Sequence, residues 1–198
     1  MGSIERVRED FVDLADLVVD CTGYLDNTGG AAEELILLSD RALRRLGRAA
    51  LSDDLRRHVD GLLPEFKSQA GIAYHGGSAA DGVMLALHNK LSLLAEESNP
   101  EGLVGEALKV AGEMQQYTHA VHYKAENATH YLARTSGFVP PGEGILTQVR
   151  QPMVEVMGDA AKCTQLAPVL IGAFDNYLLS LNLAATGITF DNPSNLKS

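Results

Sequence analysis

The run Pro100–Ser136, PEGLVGEALKVAGEMQQYTHAVHYKAENATHYLARTS, decides the fold class. Just ahead of it Asn99 can cap a helix, Pro100 suits the first helical position, and Glu101 puts an acid where the helix dipole favours one. Inside the run Leu103, Ala107, Val110, Met114, Tyr117, Val121, Ala125, Ala128 and Leu132 recur at spacings of three and four, the signature of one long amphipathic helix. Beyond it, Gly137 and the Pro140-Pro141-Gly142 stretch cannot continue a helix.

Three of the six histidines, His119, His122 and His130, fall on this helix with Glu126 between them. At about 100° per residue the four side chains share an arc of roughly 80°. His and Glu four residues apart can chelate one metal ion, and imidazole with carboxylate suits zinc, iron or manganese. The apolar residues, however, point roughly 120° away from that arc on the same helical wheel. Metal sites in helical bundles project into the core and repeat a Glu-x-x-His pair on facing helices, and no second helix supplies one. A solvated or interface-lining face is therefore preferred to a metal site, with His75, His88, Asp81 and Glu155 as the more distant residues that could complete a ligand set. A third reading is a pH-responsive contact, because clustered imidazoles charge together in mild acid and repel.

Working towards the N-terminus, Ile4, Val7, Phe11, Leu14, Val18, Cys21 and Leu25 form a heptad seam, with Asp10, Asp13, Asp16 and Asp20 off it. Asp26-Asn27-Thr28-Gly29-Gly30 then reads as a helix stop. A second helix is expected over about 31–50 through Leu35, Leu38, Ala42 and Leu46. Its Arg41, Arg44, Arg45 and Arg48 form the one basic patch, which can bind an anion or a partner but is better read as pairing with acids on neighbouring helices. Ser52 caps a third helix that Pro64 kinks or splits and that ends near His75-Gly76-Gly77. Ser78 with Asp81 resembles a capping box opening a fourth, to about Glu97. The last apolar run follows Ile145, Val149, Pro152, Val156, Ala160, Cys163, Ala167, Leu170, Phe174, Tyr177 and Leu181 across Pro168, and is expected to be one kinked helix or two collinear ones.

The expectation is an all-α, antiparallel bundle of five to seven helices with coiled-coil-like seams and two long C-terminal helices. Residues 1–186 form its single domain and 187–198 an extended or disordered tail. The two helix, double-glycine, helix units could be a duplication, but a closed bundle is preferred to a solenoid.

Composition narrows the function. Sixteen Lys and Arg against twenty-six Asp and Glu give a net charge of −10, which disfavours nucleic acid or an anionic membrane as the main partner. No segment has the roughly 18 consecutive apolar residues of a membrane span, and the charged N-terminus is unlike a signal core, so a cytoplasmic location is expected. The two cysteines, Cys21 and Cys163, make neither a disulfide framework nor a zinc spacing and read as core residues. The Asn127-Ala128-Thr129 glycosylation triplet lies inside the long helix and lacks its required context. No nucleophile elbow or phosphate loop is present, and the sequence assigns no cofactor. These features favour a non-enzymatic helical-bundle interaction or adaptor module that self-associates or binds a protein partner. The alternative is a bundle that holds an apolar small molecule, with Met84, Met114, Met153 and Met157 around it, or a metal ion, including a metal-dependent enzyme built on the histidine stripe.

Overall fold

The computed structural model describes residues 2–46, 53–98, 102–135 and 143–190. Four long helical segments account for nearly all of them: α1 (Gly2–Leu46), α2 (Asp53–Ser98), α3 (Leu103–Arg134) and α4. The last is built from three consecutive pieces, Glu143–Ile145, a π-helical turn Leu146–Arg150, and Gln151–Ser180. The architecture is all-α, and among the described residues the helices number four rather than five to seven; the two C-terminal helices are long, as expected, and the two N-terminal ones longer still.

The count differs because neither Gly29-Gly30 nor Gly76-Gly77 stops a helix. Each lies in the middle of an unbroken helix. In α1 the buried positions Phe11, Leu14, Val18, Cys21, Leu25, Thr28, Ala32, Leu35, Ser39 and Ala42 keep one alternation of three and four straight through Gly29-Gly30. In α2, Leu63, Phe66, Ala70, Ala73, Gly77, Ala80, Met84, Leu87 and Leu91 do the same, with Gly77 itself in the seam. A glycine costs a helix about 1 kcal/mol relative to alanine, which an uninterrupted buried seam outweighs several-fold. The polar members of the seam satisfy themselves: the Thr28 hydroxyl donates to the Tyr24 carbonyl at 2.8 Å and that of Ser39 to Leu35 at 2.7 Å. Pro64 and Pro168 also sit inside continuous helices.

The π turn has a local cause. Pro152 has no amide to offer, and its ring would press on the carbonyl one turn back. The backbone widens by one residue instead, and the Gln151 amide donates to the Leu146 carbonyl five positions earlier. The extra residue moves the buried set from the expected Pro152 to Met153 before it returns to Val156, Ala160 and Cys163.

Each helix packs on the two that flank it in a closed ring, α1 on α2, α2 on α3, α3 on α4 and α4 on α1. All four neighbours run antiparallel, as cross-contacts show by rising on one helix and falling on the next. Lys90 meets Asp13 and Gly76 meets Thr28 between α1 and α2. Asp40 meets Arg150, and Phe11 meets Phe174, between α1 and α4. The core is continuous along the bundle, from the Phe11–Phe174–Tyr177 aromatic cluster past a waist of small residues that includes Ala31, Ala73 and Ala125.

The waist separates the two glycine pairs by what they face. A Cβ on Gly76 would collide with the Thr28 hydroxyl and lie 3.1 Å from the Tyr24 carbonyl, and one on Gly77 would lie 3.2 Å from the His122 Cα. These two glycines let α2 approach α1 and α3 backbone to backbone. Gly29 and Gly30 face open space and border an apolar slot of about 350 Å³ between α1 and α4, lined also by Leu25, Met157, Ala160, Ala161 and Thr164.

After Ser180 the helix closes through Asn182 in the left-handed conformation at φ 58°. The Leu183 amide donates back to Leu178 at 2.9 Å and that of Asn182 to Leu179 at 3.0 Å, a full Schellman pattern. Residues 183–190 then run extended against the bundle. Asp175 accepts from the Thr186 amide and hydroxyl at 2.7 and 2.8 Å, and the Arg8 guanidinium donates to the carbonyls of Ala184 and Ala185 at 3.2 Å each. The Ser52 cap, the Asn99-Pro100-Glu101 start signal, the Pro140-Pro141-Gly142 break and the tail from 191 lie outside the described residues.

Candidate functional site

The α2–α3 seam carries a polar ladder. Tyr74, Asp81 and His88 follow one another at seven-residue spacing on the side of α2 that meets α3. Asp81 is the single carboxylate, Lys or Arg between Lys67 and Lys90, and it is tucked into the seam at 18% exposure. Gly77 lies one turn before it and lets the backbone of α3 close in at His122. That approach brings His122 Nδ1 within 3.0 Å and His119 Nδ1 within 3.3 Å of the same Asp81 Oδ2. His122 is mostly covered and its ring rests on Tyr74, 5.6 Å between centroids, whereas His119 is 74% exposed. A carboxylate oxygen can accept from two imidazoles at once, which leaves both Nε2 atoms directed away from it. The arrangement fixes the orientation of two imidazoles against one carboxylate. Among the described residues, no three or more His, Cys, Asp or Glu are arranged to hold a metal ion.

The rest of the histidine stripe goes elsewhere. His130 lies over the opposite seam, in a depression of about 370 Å³ between α3 and α4 whose lining includes Lys124, Asn127, Tyr131, Arg134, Gln148 and Glu155. Here Lys124 donates to Asp159 at 2.7 Å and pairs with Glu155 at 3.0 Å. Burial alone would lower the Lys124 pKa, but the two carboxylates together outweigh it and raise it. The Tyr131 hydroxyl is buried with no hydrogen-bond partner, and burial pushes its pKa up. Glu126 is half-buried and joins neither cluster.

Of the basic patch, Arg41, Arg44 and Arg45 are exposed on the last turns of α1, and the Arg44 Nε donates to the Asp40 carbonyl at 3.1 Å. Arg48 lies outside the described residues. The close cation at this end is Arg150 of α4, whose Nε donates to Asp40 at 2.7 Å. Met84, Met114 and Met153 are fully buried in the core, and only Met157 borders the α1–α4 slot. No helix among the described residues is long and apolar enough to cross a membrane.

The exposed faces divide by charge. The outward face of α1 carries Glu9, Asp13, Asp16, Asp20, Asp26 and Glu33, whereas that of α3 carries Glu106, Lys109 and Glu113 near its start and no exposed carboxylate, lysine or arginine between Glu113 and Arg134. On α2 between Lys67 and Lys90 the exposed residues are Ser68, Ile72, His75, Gly82, Leu85, Ala86 and Asn89. On α4 after Lys162 they are Gln165, Pro168, Val169, Asn176, Leu179 and Ser180. Neither set contains a carboxylate, lysine or arginine. Because α2 and α4 do not adjoin in the ring, these uncharged faces lie on opposite sides of the bundle. A comparison with protein-family models finds no match, and none of the curated proteins is significantly similar in sequence.

Proposed function

We propose that this protein is a non-enzymatic helical-bundle interaction module that self-associates through the outward faces of α2 and α4. The observation that carries the reading is the segregation of charge. In a chain of net charge −10, the exposed carboxylates concentrate on α1, and residues 68–89 of α2 and 163–180 of α4 present outward stretches without any. Like-charged surfaces repel, so copies of an acidic bundle meet at lowest cost where charge is absent. The strips also hold exposed large apolar side chains, Ile72 at 46% and Leu85 at 47% on α2, Val169 at 52% and Leu179 at 58% on α4. Small residues between them, Gly82 and Ala86 on one and Gly172 on the other, allow close helix approach.

Val169→Glu and Ala86→Glu test this directly, since each adds a carboxylate to an exposed position of one strip without touching the core. Native mass spectrometry is expected to show the wild-type chain as an assembly and each variant shifted towards the 21.2 kDa monomer. Variants that keep the wild-type mass distribution would count against these faces.

A further inference from the structure

The chain has two cysteines, one near each end of the sequence, and the fold brings them together in the core. The antiparallel register of α1 and α4 is fixed by Phe11 against Phe174 and Tyr177, with ring centroids 5.3 and 4.9 Å apart. Continued along the pair, that register sets Cys21 opposite Cys163. Both side chains have zero exposure, and neither is in a disulfide. The Cys163 thiol donates to the Met114 carbonyl at 3.7 Å.

We propose that Cys21 and Cys163 are a dithiol site that closes into an internal disulfide, stapling α1 to α4 at mid-bundle. The antiparallel register sets the two side chains on facing turns, as a disulfide requires, and their complete burial keeps oxidants from them while the bundle is closed. The apolar slot between the same two helices adjoins the site. Leu25 in its lining is one turn from Cys21, and Ala160 and Thr164 flank Cys163. With hydrogen peroxide as oxidant, one thiolate attacks the O–O bond and becomes a sulfenic acid, releasing hydroxide that takes up the thiol proton as water. The second thiol then displaces the sulfenic oxygen as a second water. One S–S bond replaces two S–H bonds, and the two electrons lost by the sulfurs reduce the peroxide.

The test uses the reduced full-length chain treated with hydrogen peroxide and, separately, with diamide. The expected product is a species lighter by two hydrogen atoms per chain, with no thiol titratable after denaturation and no covalent cross-link between chains. Its melting midpoint should rise, because the closed loop spans most of the chain, and should fall back on reduction. Cys21→Ala and Cys163→Ala, each confirmed as helical by circular dichroism, should abolish the mass change. The proposal is overturned by either of two results: both thiols still titrate after oxidation, or the products are oxygen adducts or disulfides between chains.

Discussion

At the scale of single residues, the polar side chains that matter are those the helices press together. Lys124 is the clearest: two carboxylates of α4 hold its ammonium at a half-buried seam, and Asp159 is only 15% exposed. Lys124→Met should cost about 1–2 kcal/mol by urea unfolding, because it leaves Asp159 with the distant Lys162 alone, 3.9 Å away. Three raised pKa values predict alkaline lability. Cys163 beside it, and then burial, push the Cys21 thiol well above its ordinary range; burial raises Tyr131; and its carboxylates raise Lys124. For each, the folded chain holds a proton that the unfolded chain releases, so stability falls as pH rises past the unfolded value, about 8.5 for the thiol and about 10 for the other two. A melting series on reduced protein should decline from about pH 8.5 by about 1.4 kcal/mol per unit for that one thiol, and Cys21→Ala should flatten the first part of the decline. The sequence exposed His119 and His122 by spacing but not their shared partner, because Asp81 lies on another helix and its approach depends on Gly77. It also grouped His130 with them wrongly. In the heptad frame that the seam follows, the arc of the stripe opens to roughly 100°, enough to carry His130 to the α4 side.

At the scale of the helices, the seams were legible and their continuity was not. Spacings of three and four gave the buried residues of the first half of α1 almost one for one and those of α3 from Val121 onward, whereas in the first half of α3 the buried set includes Val104, Ala111 and Thr118, one position after the expected Leu103, Val110 and Tyr117. Thr28 and Gly77 broke the apolar pattern at the waist, and a glycine pair has the same local propensity whether it ends a helix or lets another one in. Only the facing backbone distinguishes the cases, and that is a property of the packed bundle. The two pairs should therefore respond oppositely to alanine. Gly30→Ala should gain about 0.5–1 kcal/mol from helix propensity alone, since its Cβ meets nothing. Gly76→Ala should lose about 1–3 kcal/mol by overpacking against Thr28, and Thr28→Ala should restore part of that loss in the double variant. Thermal melts of the four proteins would decide it. Equal effects at the two positions would show that the waist is not tightly packed.

At the scale of the molecule, four antiparallel helices close a core whose exposed carboxylates concentrate on one corner, α1. Composition foretold the acidity but not its arrangement, because the corner a residue occupies depends on which helices are neighbours. An acidic α1 face together with uncharged stretches on α2 and α4 suits the proposed contact between copies. Sedimentation equilibrium of the purified chain over a wide dilution series is the most direct measurement of that claim. Self-association through uncharged faces predicts a weight-average mass above 21.2 kDa that dissociates on dilution and persists at high salt; a monomer at every concentration would contradict it.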